Sequence, residues 1–256
     1  MPDDGRPHEE GPPLLNARTP GRGASDHRTR GVPRRPSPSG DRRPTKEELR
    51  AYATDDPDVL DDILPADPVD PTQPARGTMR LLAVGINPGL WTAAVNAPFA
   101  RPGNRFWPSL HRAGLTDHPV DASRGLSAED EAQLLDRGIG LTNLVGRATV
   151  RADELTRQEL RAAGERLTER VARLRPRVVA IAGITAFRTA FARPRAVLGP
   201  QDTSDIPGWP GDVALWVVPQ PSGLNAHETI DTLADTWRAV WDAAHAPADG
   251  SEDDAR

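Results

Sequence analysis

The sequence of 256 residues contains no cysteine. This absence excludes disulfide bonds, iron–sulfur clusters, thiolate zinc sites and a cysteine nucleophile, so any chemistry has to come from oxygen and nitrogen groups. The six histidines show no spacing of the HExxH kind, in which two histidines on one helix face bind zinc. We therefore expect no catalytic metal.

Long apolar stretches are also missing. No segment approaches the length of a membrane span, and the N-terminus lacks the basic start and apolar run of a secretion signal. We expect a cytoplasmic protein without a membrane partner. The formal net charge of −5 would by itself argue against a nucleic-acid partner, but the charge is unevenly distributed along the chain.

Composition divides the chain into four parts. The predicted parts are a disordered basic tail rich in proline and arginine (1–44), short helices and an acidic linker (45–78), a folded domain (79–244) and a disordered acidic tail (245–256). The first tail has almost no large apolar residues to bury, so it either holds a polyanion loosely or is merely solvated. Within the linker region, a capping-box pattern predicts a helix starting at Thr45, and a helical turn is expected over 59–64.

Short apolar runs alternate with helix-like stretches from residue 79 onward, which is typical of a parallel sheet covered by helices. The runs are "MRLLAVGI", "GIGLTNLV", "RVVAIAGI" and "VALWVVP". Helices are predicted at about 104–114, 127–137, 155–174, 184–192 and 226–244. The fold class is therefore predicted as α/β, a three-layer α/β/α sandwich with a short central, mostly parallel sheet.

Polar residues stand where several predicted strands end. Asn87 follows the first strand in "GINPG", Asn143 ends the second, and "QPSGLN" (220–225) follows the fourth. Ligands of open parallel sheets bind beyond the carboxyl ends of the strands, so these residues are candidates for a site. Asn87 could alternatively do no more than close a turn, because Asn before Pro is common there.

Two further features are compatible with binding of a flat base. Phe99 lies in a loop among small residues and prolines, where it either plugs the core or stacks on a base. Leu224 lies on a rigid Pro-Ser-Gly turn with little apolar company, as expected of a wedge that enters a base stack. The alternative for this turn is a plain connection in which Asn225 caps the next helix.

Taken in order, "GINPG", "PFARPGNRFW", "LTNLV" and "PSGLN" resemble the mismatch-specific uracil/thymine-DNA glycosylases of the uracil-DNA glycosylase superfamily. The resemblance covers about 60–244, and four motifs in register are far more specific than any one alone. It implies an α/β/α sandwich that flips uracil, or a related mismatched or damaged pyrimidine, out of double-stranded DNA and hydrolyses its N-glycosidic bond without metal or cofactor, initiating base excision repair. We expect a monofunctional, nucleoid-associated enzyme that acts as a monomer.

The resemblance also assigns residues. Asn87 matches the catalytic Asn that holds the attacking water, Phe99 the aromatic residue that stacks on the extruded base, and Leu224 the intercalating residue. Substrate binding is further expected of Ile86, Gly89, Asn143 and Ser222. DNA binding is expected of the turn as a whole, namely Gln220, Pro221, Gly223, Leu224 and Asn225.

The sequence departs from the family pattern at two positions of the turn. Gln220 stands where some members have Asn, and Ala226 stands at a position that can be basic. These departures leave the preference for the opposite base open. Two other functions also remain open at this point: a catalytically weak damage-binding protein of the same fold, and a hydrolase of free nucleosides.

Overall fold

The computed structural model describes residues 30–246, in which five strands form one sheet. The strands are β1 (Leu81–Gly85), β2 (Ile139–Asn143), β3 (Val178–Ala182), β4 (Gly199–Gln201) and β5 (Ala214–Val218). The α-helices are α1 (Lys46–Ala51), α2 (Leu90–Val95), α3 (Phe106–Arg112), α4 (Ala128–Asp136), α5 (Arg157–Leu174), α6 (Ile184–Ala190) and α7 (Ile230–His245). Of the helices in this described range, none is long and apolar enough to cross a membrane.

The strand order is β2-β1-β3-β5-β4, and every neighbouring pair is parallel except β4 with β5. All residues of β1 and β3 are buried, because helices cover both faces of the sheet. Buried parallel strands are apolar throughout instead of alternating, which explains the continuous apolar runs in the sequence.

Two separate cores lie on the two faces of the sheet. Leu81 and Ala83 of β1 pack with α3, α4 and α7, whereas Leu82 and Val84 pack with α5 and α6. The period of two along the strand therefore assigns alternate residues to opposite cores. The predicted three-layer α/β/α arrangement is confirmed.

Helix α5 forms as the sequence predicts. Thr156 caps its N-terminus, accepting a hydrogen bond from the backbone N–H of Glu159, whose side chain in turn accepts one from the backbone N–H of Thr156. The helix ends at Leu174, before Arg175 adopts a left-handed conformation (φ 52°). Where α5 meets α6, a side chain at Gly164 would lie 2.6 Å from the carbonyl oxygen of Ala190, so only glycine allows the two helices this approach.

The predicted disordered tail is wrong for residues 30–44, which pack on the domain. The backbone N–H of Val32 donates to Leu64 O at 2.9 Å, and that of Ser39 donates to Ala94 O at 3.2 Å. The guanidinium of Arg34 is almost buried, pairs with Glu131 of α4 and donates to the carbonyl of Asn96. Backbone pairing and a buried ion pair thus order a segment that has few apolar residues. Residues 1–29 and 247–256 lie outside the described part of the chain.

Several local predictions also need correction. The expected helical turn over 59–64 is absent, because Ile63 pairs with Leu141 of β2 through two backbone hydrogen bonds of 2.8 and 3.0 Å. Helix α7 starts at Ile230, and its cap is Thr229, not Asn225. The sequence prediction also missed α2 and β4, which are six and three residues long.

The packing of residues 30–44 predicts that Arg34→Ala destabilises the protein. The change leaves the Glu131 carboxylate and the Asn96 carbonyl without their donor, which should lower the free energy of unfolding by about 1–3 kcal/mol. Urea titration should show a lower midpoint with an unchanged slope. The exposed Arg30→Ala is the matched control, and identical curves for the two variants would contradict the packing of this segment.

Candidate active site

The candidate residues gather at the carboxyl edge of the sheet, where the strand order reverses. After β1, the chain adds β2 on one side and β3 on the other, which creates the crevice that open α/β sheets use for ligands. The loops after β1 and β2 are paired, since Leu144 N–H donates to Gly85 O and Val145 N–H donates to Ile86 O, both at 2.9 Å. The edge is thus a rigid platform for Asn87.

The half-buried amide of Asn87 is held by its nitrogen. Nδ2 donates to Thr149 Oγ1 at 2.8 Å and to the carbonyl oxygens of Arg147 and Pro88, both at 3.2 Å. Backbone carbonyls only accept hydrogen bonds, so these neighbours fix which end of the amide is the nitrogen. Within residues 30–246, no donor is bound to Oδ1, and this acceptor is therefore fixed in place and available for a water molecule.

Sequence patterns did not identify Thr149 and Arg147 as residues of the site. Thr149 is buried, and its backbone N–H donates to Pro88 O at 3.1 Å, so it contacts the Asn-Pro step twice. The contacts span 60 and 62 residues. The available signal was "GRAT" after the second strand, which places polar residues at the same edge as "GINPG".

An ion pair anchors the loop that contains Arg147. Its Nε donates to Glu159 Oε1 at 2.5 Å, and its Nη2 donates to the carbonyl of Glu154 at 3.3 Å. The hydrogen bond from Arg147, followed by that from the backbone N–H of Thr156, lowers the pKa of Glu159 to about 2. Because Glu159 also closes the capping box of α5, the carbonyl of Arg147 that accepts from Asn87 is connected to the start of this helix.

Phe99, Asn143 and Gly85 meet next to Asn87. The ring of Phe99 stacks on Phe106 with centroids 3.9 Å apart and planes 17° from parallel, yet remains partly exposed. Its Cζ atom lies 3.3 Å from the position that a Cβ at residue 85 would take, and Oδ1 of Asn143 is closer still. Only glycine at 85 therefore lets the aromatic ring and the amide lie side by side above the end of β1.

The backbone of Phe99 is strained. Its φ of 56° lies in the left-handed region that bulky residues seldom adopt. Strain of this kind costs on the order of 1–3 kcal/mol and clusters where a ligand is held. Phe106, with which it stacks, is fully buried, as expected of a core residue.

Ile86 and Gly89 flank the Asn-Pro step. The Ile86 side chain lies over Gly183 at the end of β3, with its Cδ1 atom 2.8 Å from the position of a Cβ there. Gly89 is exposed and is the N-cap residue of α2. The carbonyl of Ile86 already accepts from Val145 N–H, and that of Gly89 accepts from Ala93 N–H in α2.

The turn at 220–225 lies at the same edge, after β5. Leu224 is 81% exposed, the most exposed large apolar side chain after Val69 in the described chain. Oγ of Ser222 accepts from the backbone N–H of Leu224 at 3.3 Å, and the amide of Asn225 donates to Gln220 O at 3.0 Å. Pro221 is buried and Gly223 exposed. Ser222 and Asn225 therefore shape the turn from within, and no described contact joins Ser222 to Asn87 or Phe99.

The side chain of Thr142 points to the face of the sheet that α5 covers. Its hydroxyl accepts from Arg170 of α5, which also pairs with Asp62 at 2.7 Å. Burial raises the pKa of the Asp62 carboxyl. A cavity of about 510 Å³ adjoins this cluster, and its lining includes Asn143 and Pro88 but neither Asn87 nor Phe99. Residues 30–246 contain no group of three or more carboxylate or imidazole side chains able to hold a metal ion.

The comparison with known families agrees with this geometry. The family described as the uracil DNA glycosylase superfamily matches residues 73–243, a span that begins before β1 and ends inside α7. It includes the Asn87 loop, the loop that carries Phe99 and the Leu224 turn, and it covers well over half of the chain. This chain therefore belongs to the uracil DNA glycosylase superfamily and contains a DNA glycosylase domain of the uracil type.

Proposed function

We propose that the protein is a monofunctional glycosylase of the mismatch-specific uracil/thymine type, which extrudes uracil or a related pyrimidine from double-stranded DNA and hydrolyses its N-glycosidic bond. The observation that carries this proposal is the Asn87 amide, whose nitrogen is bound on three sides while its oxygen remains available. The four motifs that resemble this branch of the superfamily support the assignment.

The mechanism follows from what an amide is able to do. Oδ1 of Asn87 orients a water molecule by accepting one hydrogen bond, but it does not take up a proton as a carboxylate would. Uracil leaves as a relatively stable anion, so the reaction does not need a strong base to activate the water. It is enough that the water is held in the right place. The rate then depends on positioning and on backbone donors to the departing pyrimidine oxygens.

The neighbouring residues suit a flat base. The exposed part of the Phe99 ring provides a stacking surface, and base–aromatic stacking contributes about 1–3 kcal/mol. Asn143 places an amide, which both donates and accepts, beside that ring. Ile86 and Gly89 add backbone groups at the rim. A mispaired pyrimidine is easier to extrude by a few kcal/mol, so G·U pairs should be better substrates than A·U pairs.

The exposed Leu224 favours DNA over a free nucleoside as substrate. A large apolar side chain on a surface turn has no use in hydrolysis of a free nucleoside, whereas it fills the space that an extruded base vacates. Excision from a uracil-containing duplex, without cleavage of free deoxyuridine, tests this choice directly. Formation of abasic sites in a G·U oligonucleotide separates an enzyme from a protein that only binds damage.

Removing the amide that holds the water should slow uracil excision strongly without weakening DNA binding. Asn87→Ala is expected to slow single-turnover excision of uracil from a G·U duplex by at least about a hundredfold, because the water loses the acceptor that orients it. Affinity for DNA containing an abasic-site analogue should stay nearly unchanged. Excision at the wild-type rate in this variant would contradict the mechanism.

The Thr149 hydroxyl should matter through Asn87. Thr149→Val removes the acceptor 2.8 Å from Nδ2, and the loss of one such hydrogen bond should lower kcat about tenfold with little change in KM. Thr149→Ser keeps the hydroxyl and should restore the rate. Thr168→Val is the matched control, because this buried hydroxyl donates to Gly164 O inside α5. Equal kcat values for the two valine variants would refute the role of Thr149.

The wedge is tested separately from the chemistry. Leu224→Ala should weaken base extrusion, which is measured by the fluorescence of a base analogue in the duplex. Excision of a uracil opposite an abasic site should slow less, because no base pair has to be broken there. Val69→Ala is the control, because Val69 is an even more exposed apolar residue outside the candidate site. Unchanged fluorescence in Leu224→Ala would rule out the wedge.

A further inference from the structure

Arg105 connects the loop that carries Phe99 to the turn that carries Leu224. Its backbone N–H donates to Pro221 O at 2.8 Å. Its guanidinium donates from Nη1 to Asn225 O at 2.8 Å and to Ser222 O at 3.4 Å, and from Nη2 to Gly223 O at 3.4 Å. One residue thus binds four of the five carbonyls of residues 221–225, two of them at full-strength distances.

The two segments also touch through their backbones. A Cβ at Gly223 would lie 2.7 Å from the carbonyl oxygen of Gly103, so the glycine lets the turn rest directly on the loop. Gly103 lies two residues before Arg105, and Arg105 is the N-cap residue of α3. The turn is therefore supported on a helix start in the core layer that contains Phe106.

The turn needs this support. It lies in an irregular connection between the end of β5 at Val218 and the start of α7 at Ile230, and its internal hydrogen bonds are few. An exposed leucine that enters a base stack transmits force only if the backbone beneath it is held. A planar guanidinium with five donors suits this task, because it binds several carbonyls at once in a fixed geometry.

We propose that Arg105 is a positioning residue that clamps the Leu224 turn in the shape that extrudes the base, and that it couples this turn to the stacking loop of Phe99. The role in base extrusion rests on the proposed function. The clamp itself is a property of the protein without DNA. None of the ion pairs within residues 30–246 involves Arg105. Its guanidinium instead donates to the carbonyls of the turn.

The first test uses the full-length protein without DNA. Arg105→Lys keeps the charge but loses the forked geometry, and we expect faster hydrogen–deuterium exchange confined to residues 219–229 with little change in melting temperature. Arg112→Lys is the matched control: it lies at the other end of α3, where Arg112 pairs with exposed Asp231 at 2.7 Å. Unchanged exchange over 219–229 would overturn the clamp, whatever the protein does to DNA.

The second test measures the consequence for excision. Arg105→Lys should slow single-turnover excision from a G·U duplex about tenfold, with a smaller effect on uracil opposite an abasic site. If Arg105 acts through Leu224, then Arg105→Lys added to Leu224→Ala should cause no further loss. Multiplying effects in the double variant would overturn the coupling.

A third comparison separates the clamp from a direct phosphate contact. Under the clamp, Arg105→Lys and Arg105→Ala are both impaired, and the dependence of DNA affinity on salt stays as in the wild type. A direct phosphate contact predicts a different result. Arg105→Lys would then be as active as the wild type, and the salt dependence of DNA binding by Arg105→Ala would fall by about one phosphate contact. Failure of the wild-type protein to excise any uracil would refute the proposed function and leave the exchange test to decide the clamp.

Discussion

The hydrogen bonds donated by the Asn87 amide join the loops that follow β1 and β2, and the rest of the candidate site is arranged around that junction. Because Thr149 and the Arg147 carbonyl both accept from Nδ2, the side chain has one orientation in the absence of DNA. The ion pair of Arg147 with Glu159 then connects the junction to α5. A weakly reactive group is useful in catalysis only when it is held in this way, since positioning is all that it contributes.

The close approach of Phe99 and Asn143 beside Asn87 depends on a missing side chain. Gly85 ends β1 between the neighbouring strands, and its bare Cα admits both the Phe99 ring and the Asn143 amide. The stack of Phe99 on buried Phe106 retains a backbone conformation that is unfavourable for phenylalanine. Folding of the core, and not ligand binding, therefore supplies the free energy that holds Phe99 in this conformation.

Local sequence patterns predicted the features that depend on neighbours along the chain. The apolar runs of β1, β2, β3 and β5, the capping box of α1 and the polar residues at strand ends all follow from periodicity and turn chemistry. Helix α2 escaped prediction because six residues between Gly89 and Asn96 carry too little periodic signal. The order of residues 30–44 was hidden because it depends on pairing with distant segments.

The supporting residues of the site were unpredictable for the same reason. Thr149 reaches Asn87 across 62 residues, and Arg105 reaches the Leu224 turn across 117 to 120. Neither residue type is unusual at its position, so nothing local distinguishes it from a solvated side chain. The motif residues could be proposed from the sequence, but the contacts that hold them required the fold.

The edges of the sheet have a consequence for self-association. Along β2, the outer edge is partly covered where Ile63 pairs with Leu141. The opposite edge is β4, which has three residues and contains Pro200. Short edge strands interrupted by proline give a second chain little to pair with. Within residues 30–246, the sheet thus resists the strand-by-strand growth that leads to aggregation, although its parallel core is almost entirely apolar.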